Sequence, residues 1–321
     1  MNYPPRLLKL VIIVIFLFLS CSNGKHEKLN AYSVLDQNFP GMEPIIFSSN
    51  IISKPNRFEQ YPSFSPDGKA FYFSYTDSAW GKSAIVRVDI DDPSLKQRTI
   101  HLMNSDYQSG QFIDHSGNRL FFTAVVFSDG LWQADIYEAM KSGKKWINVK
   151  KLNSPVNSYI CEWHPTLTKN SVMYFASERN YNHGLADIYR AIPEKGDYTN
   201  VEKLPPAINT EYNETDPLIA SDGSFLIFAS NRPGGVTGPD VYNRPNGYDE
   251  TDLYISFNNG KDKWSEPKNM GSAINSDEWE FAPSLSPDGR YLFFTRRESF
   301  NTLKPSKIYW VDSKIIDRIK E

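Results

Sequence analysis

Cysteine and histidine are scarce in this chain. Its 321 residues include two cysteines and five histidines, and none of them falls into an H-x-H, H-E-x-x-H or closely paired cysteine spacing. Such spacings let one short segment supply several ligands to a metal ion, so we expect no metal site and no cofactor. The G-x-S-x-G turn that presents a nucleophilic serine in many hydrolases is missing as well. No local motif therefore identifies a catalytic residue.

An excess of basic charge is also missing. The chain carries 35 lysines and arginines against 38 aspartates and glutamates, well interspersed, for a formal charge of −3. Proteins that bind nucleic acid neutralise phosphates with a basic patch or stripe. We expect no nucleic-acid partner.

The longest apolar run lies at the N-terminus, over Leu7–Leu19, and is followed by Ser20 and Cys21. A bilayer-spanning helix needs about 20 apolar residues, whereas the length of this run is typical of a signal peptide. A small residue before a cysteine, directly after such a run, resembles a bacterial lipobox, with Phe18 standing where leucine is usual. The alternative is that Cys21 is an ordinary residue after a general secretory cleavage site.

The lipobox resemblance implies that residues 1–20 are a lipoprotein signal peptide and that an acylated Cys21 anchors the protein in a membrane. Two or more acyl chains anchor a protein stably where one would not. The rest of residues 21–42 is polar and without a clear period, which predicts a flexible tether. We expect an outer-membrane lipoprotein of the cell envelope, facing the periplasm or the cell surface, with Cys161 as a free thiol.

The body of the chain repeats one segment five times. Each copy is a short strand, a tight turn and a second strand rich in aromatic and branched residues. In the clearest copies the turn is Pro-Asp-Gly, which combines a fixed φ, a side-chain acceptor and a residue that tolerates positive φ. The copies are PSFSPDGKAFYFS from Pro62, QFIDHSGNRLFFT from Gln111, PTLTKNSVMYFA from Pro165, PLIASDGSFLIFA from Pro217 and PSLSPDGRYLFFT from Pro283.

Two further strands follow most of these hairpins. Antiparallel four-stranded units of roughly fifty residues are typical of propeller blades, and the hairpins predict five blades, with six as the alternative. The third strands are IVRVDI from Ile85, ADIYEA from Ala134, ADIYRA from Ala186, TDLYIS from Thr251 and SKIYWV from Ser306. The fourth strands are WINVKKL from Trp146, YTNVEKL from Tyr198 and WSEPKNM from Trp264. The recurring aspartates Asp135, Asp187 and Asp252 are expected to bond a neighbouring turn.

The fifth hairpin has a third strand but no fourth. Its chain ends instead in DSKIIDRIKE, whose spacing predicts a helical tail over residues 313–321. The segment Pro44–Ile52 is β-rich, has no hairpin of its own and lies in the register of a fourth strand. We therefore expect an all-β protein with a single β-propeller over residues 43–312, its ring closed by this N-terminal strand so that no sheet edge remains at the junction.

The S-P-D-G hairpins, the D-I/L-Y third strands and the linkers PVNS, AINT and AINS resemble the TolB-type, WD-like propeller repeats of bacterial envelope proteins. The resemblance covers roughly residues 43–312. It implies a propeller lipoprotein of a class that mostly binds, with catalysis in only some members. Blade 2 departs from the pattern, because His115-Ser116-Gly117 replaces Pro-Asp-Gly.

Connectivity places the start of each first strand and the end of each second strand on one rim of the ring. We call this rim the linker face and the opposite rim, with the Pro-Asp-Gly turns, the turn face. Recurring glutamates and arginines on the linker face either form ion pairs that hold the ring together or belong to a binding surface. Departures from the repeat are the stronger indication of a binding site, since blades that only pack can be identical whereas a ligand is asymmetric. Two of these departures are the tryptophans Trp163 and Trp279, which we expect in connecting loops. The candidate binding residues are Glu162, Trp163, His164, Arg179, Glu214, Arg232, Tyr242, Tyr248, Glu278, Trp279, Glu280 and Arg296.

The sequence thus predicts a monomeric, non-enzymatic protein that binds an envelope protein or a cell-wall glycan through its linker face. The alternative is a propeller enzyme acting on polysaccharide, as a lyase or a glycoside hydrolase, with His164, Glu162, Glu214 and Arg232 at the mouth of the channel.

Overall fold

The computed structural model of the chain describes residues 39–48, 51–54, 57–77, 81–128, 131–182, 185–235, 250–260, 263–298 and 304–320. Cys21, Tyr242 and Tyr248 lie outside these residues, so the anchor and part of the predicted binding surface stay predictions. All described residues belong to one structural unit, Ala31–Glu321. No helix within the described ranges is long and apolar enough to cross a membrane.

The described chain is a single β-propeller of five antiparallel, four-stranded blades. Blades 1 and 2 are also joined by one parallel bridge between Ser83 and Tyr107. Blade 1 comprises β2 (Phe58–Phe64), β3 (Ala70–Thr76), β4 (Ser83–Asp89) and β5 (Gln97–Ile100), and blade 2 comprises β6 (Tyr107–Ile113), β7 (Arg119–Ser128), β8 (Leu131–Ser142) and β9 (Lys145–Lys151). Blade 3 comprises β10 (Glu162–Leu167), β11 (Met173–Asn182), β12 (Leu185–Glu194) and β13 (Asp197–Lys203), and blade 4 comprises β14 (Glu214–Ile219), β15 (Phe225–Ser230), β16 (Asp252–Phe257) and β17 (Lys268–Asn269). Blade 5 comprises β18 (Trp279–Leu285), β19 (Tyr291–Arg297), β20 (Lys307–Asp312) and β1 (Ile45–Ile46), and the helix α1 (Lys314–Lys320) follows β20.

The N-terminal strand completes the last blade, as the sequence predicts. Ile45 pairs with Trp310 and Ile46 with Tyr309 in an antiparallel ladder between β1 and β20. The backbone N–H of Phe47 extends the pairing with a 2.8 Å hydrogen bond to the carbonyl of Ile308. The five first strands also touch in a closed cycle, from β2 through β6, β10, β14 and β18 back to β2.

The apolar core lies between adjacent blades, because the aromatic-rich second strands are buried on both faces. The junction of blades 5 and 1 shows how the closing segment takes part. The ring centre of Phe47 is 5.1 Å from that of Phe71 in blade 1 and 5.0 Å from that of Phe293 in blade 5. It also lies 5.2 Å from the ring of Trp310. The closing segment therefore contributes packing as well as hydrogen bonds.

The Pro-Asp-Gly turns have the geometry expected from their residues. Asp67 accepts hydrogen bonds from Ser65 Oγ at 2.6 Å and from the N–H of Lys69 at 3.1 Å, and Gly68 has a φ of 69°. Asp114 of the divergent blade 2 turn likewise accepts from Ser116 Oγ at 2.9 Å. The substitution of His-Ser-Gly for Pro-Asp-Gly thus keeps a carboxylate-capped turn.

The asparagine that recurs in the linkers forms hydrogen bonds to both the third strand and the linker. Asn157 accepts a 2.8 Å hydrogen bond from the N–H of Ile136 and donates 2.9 Å and 2.8 Å bonds to the carbonyls of Ile136 and Leu152. Asn209 and Asn275 make the equivalent exchange with Ile188 and Leu253. A side-chain amide suits this position because it can donate and accept at once.

The prediction that the third-strand aspartates bond a neighbouring turn is wrong for Asp135 and Asp187, which form ion pairs with a fourth strand instead. Asp135 pairs with Lys151 and Asp187 with Lys203, each at 2.7 Å, while Asp252 accepts a 2.8 Å bond from Asn269. All three partners lie on or directly beside the fourth strand. The aspartates therefore tie the fourth strand to the third strand in blades 2, 3 and 4.

Candidate functional site

The predicted glutamates of the linker face are buried in ion pairs within their blades. Glu162 Oε1 lies 3.2 Å from Arg179 Nη2, and Glu214 Oε1 lies 3.1 Å from Arg232 Nη2. The third ion pair is shorter, with 2.7 Å between Glu280 Oε1 and Arg296 Nε. All three carboxylate side chains have no exposed surface.

These ion pairs also hold the linkers in place. Glu162 accepts hydrogen bonds from both the N–H and the hydroxyl of Ser158, at 2.9 Å and 2.6 Å. Arg179 donates to the linker carbonyls of Pro155 and Val156. The same arrangement recurs in the next two blades, where Thr210 and Ser276 bond the carboxylates and Arg232 and Arg296 bond linker carbonyls. These residues thus form the ion pairs that were one of the two predicted roles, and a role in binding stays a prediction.

The buried carboxylates carry a desolvation cost. Burial raises the pKa of Glu162 and of Glu214, and it raises the pKa of Glu280 to about 7. Hydrogen bonds from the linker residues and the charge of the paired arginines oppose this shift in each case. The pairs therefore have a definite pH dependence, which is a test of their role.

The two tryptophans expected in loops lie instead at the start of inner strands. Trp163 belongs to β10, and its Nε1 donates a 2.9 Å hydrogen bond to Glu178, which is not one of the predicted binding residues. Trp279 begins β18, donates a 2.7 Å bond to Thr251 Oγ1 and packs at a tilt against Phe281, with ring centres 4.6 Å apart. Both rings are half-buried, so they serve packing, and their contribution to binding stays a prediction.

Glu278 is half-buried beside the third ion pair, 3.9 Å from Arg296 Nε. Burial raises its pKa. Cys161 is a free thiol, as expected, and burial together with the nearby Glu178 carboxylate raises its pKa to about 12. A thiol with so high a pKa is a poor nucleophile at neutral pH.

Three exposed aromatic side chains lie on the linker face, two in the hairpin between β7 and β8 and one in the linker to blade 3, and we call them the aromatic patch. Phe127 is 63% exposed and Trp132 is 59% exposed, and they face each other across β7 and β8 with ring centres 6.1 Å apart. Tyr159, in the linker that leads to blade 3, is 77% exposed. The linker lies against β8, since Gln133 Nε2 donates to the carbonyl of Ser158. Exposed aromatic side chains that contact each other, as Phe127 and Trp132 do, indicate a contact surface.

A second feature lies at the axis of the ring, where each inner strand contains one β-bulge. The ladder between first and second strands shifts register at the same position in all five blades. The residue at the bulge has a φ between 49° and 60° in every blade. The five bulge residues are Tyr61, Gly110, His164, Asp216 and Ala282. Each directly precedes the aligned position of the repeat, and each is of a different type.

The backbone N–H groups of three bulge residues bond side chains of the preceding blade. Tyr61 donates to Thr295 Oγ1 at 3.2 Å, and His164 donates to Thr123 Oγ1 at 3.1 Å. The N–H of Ala282 donates to Asp216 Oδ2 at 3.2 Å. The bulges therefore join the blades near the axis.

The bulge side chains themselves form a polar group at the axis. His164 Nδ1 contacts Asp216 Oδ1, and the imidazole lies 4.4 Å from the ring centre of Tyr61. Of their side-chain surfaces, 13% is exposed for His164 and 4% for Asp216. Burial raises the pKa of Tyr61 well above its ordinary value, and the charge of Asp216 adds to the shift. His164 therefore contacts Asp216, which was not a predicted candidate, whereas Glu162 forms its ion pair with Arg179.

Gly110 makes room for this group. A Cβ at this position would lie 2.5 Å from His164 Cδ2, and the φ of 60° is itself unfavourable for other residues. The sequence does contain a signal for this group: at the position directly before the aligned repeat residue, each of the five blades has a different residue type.

The bulge residues form one end of an axial cavity of about 430 Å³ that extends to the hairpin turns of the turn face. No lysine or arginine is among the described residues that line it. Its carboxylates are Asp216 and Asp288, and Asp288 is held in its turn by Ser286 Oγ at 2.6 Å. Glu162, Glu214 and Arg232 are not part of the lining. Within the described ranges, no three His, Cys, Asp or Glu side chains are grouped so as to hold a metal ion.

Comparisons with known proteins concern the fold alone. No family model matches the chain, and no curated protein matches it. Among solved structures, it is similar to the catalytic domain of the GH62 α-L-arabinofuranosidase of Coprinopsis cinerea, at 11% identity and a TM-score of 0.50, over 84% of this chain and 94% of that one. It is similar at 10% identity and the same TM-score to a protein of unknown function from Dyadobacter fermentans, over 86% of this chain and 83% of that one. An α-L-arabinofuranosidase of Lactobacillus brevis matches at 15% identity and a TM-score of 0.49, over 79% of this chain and 90% of that one. At 11% identity the likeness to the GH62 domain concerns the fold alone, and it agrees with a β-propeller.

Proposed function

We propose that this protein is a TolB-type, lipid-anchored β-propeller of the bacterial envelope that binds a protein partner through its linker face and does not catalyse a reaction. The observation that carries the proposal is the aromatic patch. Exposed Trp, Tyr and Phe side chains are the groups that contribute most to protein–protein interfaces when a partner covers them. The patch departs from the repeat, which a purely structural ring has no need to do.

A protein partner is favoured over a glycan by the polar groups around the patch. Gln133 donates to the carbonyl of Ser158, and the hydroxyl of Ser158 donates to Glu162. Glu178 accepts from the indole of Trp163. These groups are engaged inside the protein, so apart from the indole N–H of Trp132 and the hydroxyl of Tyr159 the patch offers mainly apolar area. A sugar would need hydrogen-bond partners beside the aromatic rings.

The glycoside hydrolase alternative needs two carboxyl groups facing a substrate about 5 to 9.5 Å apart. Glu162 and Glu214 are instead enclosed with Arg179 and Arg232. The lining of the axial cavity offers one carboxylate paired with an imidazole and another bound in a turn. We therefore assign no catalytic role to the linker-face residues.

The test is capture of envelope proteins by the full-length protein and by a Phe127→Ser, Trp132→Ser double variant. A matched control exists in the same blade, because Met140 and Ile147 are a directly opposed pair, 39% and 41% exposed. We expect the aromatic double variant to lose the proteins that wild type captures, and a Met140→Ser, Ile147→Ser variant to retain them. Equal capture by all three proteins, or binding to isolated glycans that the aromatic variant abolishes, would contradict the proposal.

A further inference from the structure

The axial cavity has the features of a built site rather than of a gap in packing. Propeller blades that only pack can carry the same residue at an equivalent position, yet the five bulge positions hold five different residues. Gly110 at one of them leaves the space that the imidazole of His164 fills. The volume of about 430 Å³ falls within the range of small-ligand pockets, about 300 to 1,000 Å³.

Several polar groups at the cavity are without a partner. His164 Nε2, Ser63 Oγ and Ser284 Oγ are buried atoms with no hydrogen-bond partner among the described residues, and all three residues line the cavity. Ser63 is only 7% exposed. Buried polar atoms are normally satisfied, so unsatisfied atoms that gather around one cavity point to a guest molecule.

The chemistry of these groups is that of alcohol recognition. Each serine hydroxyl can donate one hydrogen bond and accept two. Nε2 of the imidazole, which has no hydrogen-bond partner among the described residues, can donate to a hydroxyl oxygen or accept from a hydroxyl group, depending on the tautomer. The ring of Tyr61 and the side chains of Phe112 and Leu218 add apolar surface to the same lining. Hydroxyl groups next to C–H faces are what a sugar ring or a polyol presents.

The charge of the lining argues against ionic ligands. An anion would meet no lysine or arginine among the described lining residues, and it would meet the carboxylate of Asp216. A cation would have to compete with His164, which already contacts that carboxylate. A neutral molecule requires neither an unpaired charge nor the breaking of this pair.

From these observations we propose that the axial cavity binds a neutral, hydroxyl-rich small molecule of monosaccharide or polyol size. The site is separate from the aromatic patch, because it lies at the bulges and extends toward the turn face. His164, Ser63 and Ser284 are the residues that recognise the ligand, and Asp216 orients the imidazole.

The experiment is isothermal titration of the detergent-solubilised full-length protein with D-glucose, D-galactose, L-arabinose, D-xylose and D-mannitol. D-glucuronate and D-glucosamine serve as the anionic and cationic counterparts of glucose. We expect at least one neutral compound to bind, and the charged counterparts to bind at least tenfold more weakly than that compound. The Phe127→Ser, Trp132→Ser variant is expected to bind it as wild type does, so failure of the partner proposal and failure of this one are distinguishable.

Two kinds of variant connect binding to the cavity. His164→Phe and Ser63→Ala remove proposed ligand contacts, and each is expected to weaken binding at least tenfold. Leu285→Trp enlarges a residue of the apolar wall and leaves the proposed ligand contacts in the sequence unchanged, so it keeps the test decisive if His164→Phe fails to fold. No binding by any neutral compound at millimolar concentration would overturn the proposal. Binding that Leu285→Trp leaves unchanged, or a crystal soaked with these compounds that shows only ordered water in the cavity, would overturn it too.

Discussion

His164 of blade 3 and Asp216 of blade 4 are in contact at the axis of the propeller, Nδ1 to Oδ1. Both residues lie at a β-bulge with positive φ, and their strands belong to separate sheets. Nε2 of the same imidazole is a buried atom without a hydrogen-bond partner among the described residues. It also depends on Gly110 of blade 2, whose missing side chain leaves the space that the ring occupies.

Gly110→Ala is expected to destabilise the protein by roughly 3 kcal/mol, because both the positive φ and a steric clash oppose a methyl group there. Gly143→Ala is a matched control, since Gly143 has a φ of 61° but no atom within 4 Å of the added Cβ. The control should cost only about 1 kcal/mol, from backbone strain alone. Denaturant unfolding of both variants measures the difference. Equal losses would show that the imidazole moves aside without cost.

Phe47→Ala is expected to cost about 3 to 5 kcal/mol, the usual range for removing a buried phenylalanine ring. Phe47 has no exposed surface and contacts aromatic rings of blades 5 and 1, so its loss weakens the ring closure. Phe39→Ala is the control, because Phe39 is 45% exposed. Thermal unfolding should separate the two variants clearly. A Phe47 variant that unfolds at the temperature of the control would contradict the closing role of the N-terminal segment.

We expect the protein to lose stability as the pH rises, because the pKa of Glu280 is raised in the folded state. The carboxyl group titrates near its ordinary pKa of 4.5 in the unfolded chain and near 7 in the folded protein. Between these values the folded state binds more protons, so the free energy of unfolding falls with rising pH, by on the order of 3 kcal/mol. Glu280→Gln removes this titration. Unfolding at pH 5 and at pH 8 should show a smaller difference for the variant than for wild type, and an unchanged difference would exclude the buried carboxyl as its source.

Cys21→Ala should move the protein from the membrane fraction to a soluble or unprocessed form, because the thiol that would carry the acyl chains is gone. Cell fractionation with detection by immunoblot measures this directly. Cys161→Ala is the matched control, since this half-buried cysteine lies within the propeller, and it should leave the fractionation unchanged. Mature-sized Cys21→Ala protein that stays in the membrane fraction would contradict the lipoprotein prediction.

The features of the propeller that repeat could be predicted from the sequence. Turn chemistry, strand period and the missing fourth strand of the last copy are local signals, so hairpins such as the one at Asp67, the five-blade count and the closing strand at Ile45–Ile46 follow from them. Even the linker-face ion pairs could be foreseen as an alternative, because Glu162 and Arg179 recur in register with their counterparts in other blades. Their burial could not, since it depends on how the linkers fold over them.

Only the tertiary structure brought together the residues of the axial group. Tyr61, His164 and Asp216 are each about fifty or more positions apart, lie in three blades and share no motif, so no local pattern connects them. The sequence determined the type of the residue that precedes the aligned repeat position in each blade, and these five residues all differ. Closure of the ring decided that these residues would meet, because the five inner strands converge on one axis and bring their bulge positions to the same cavity.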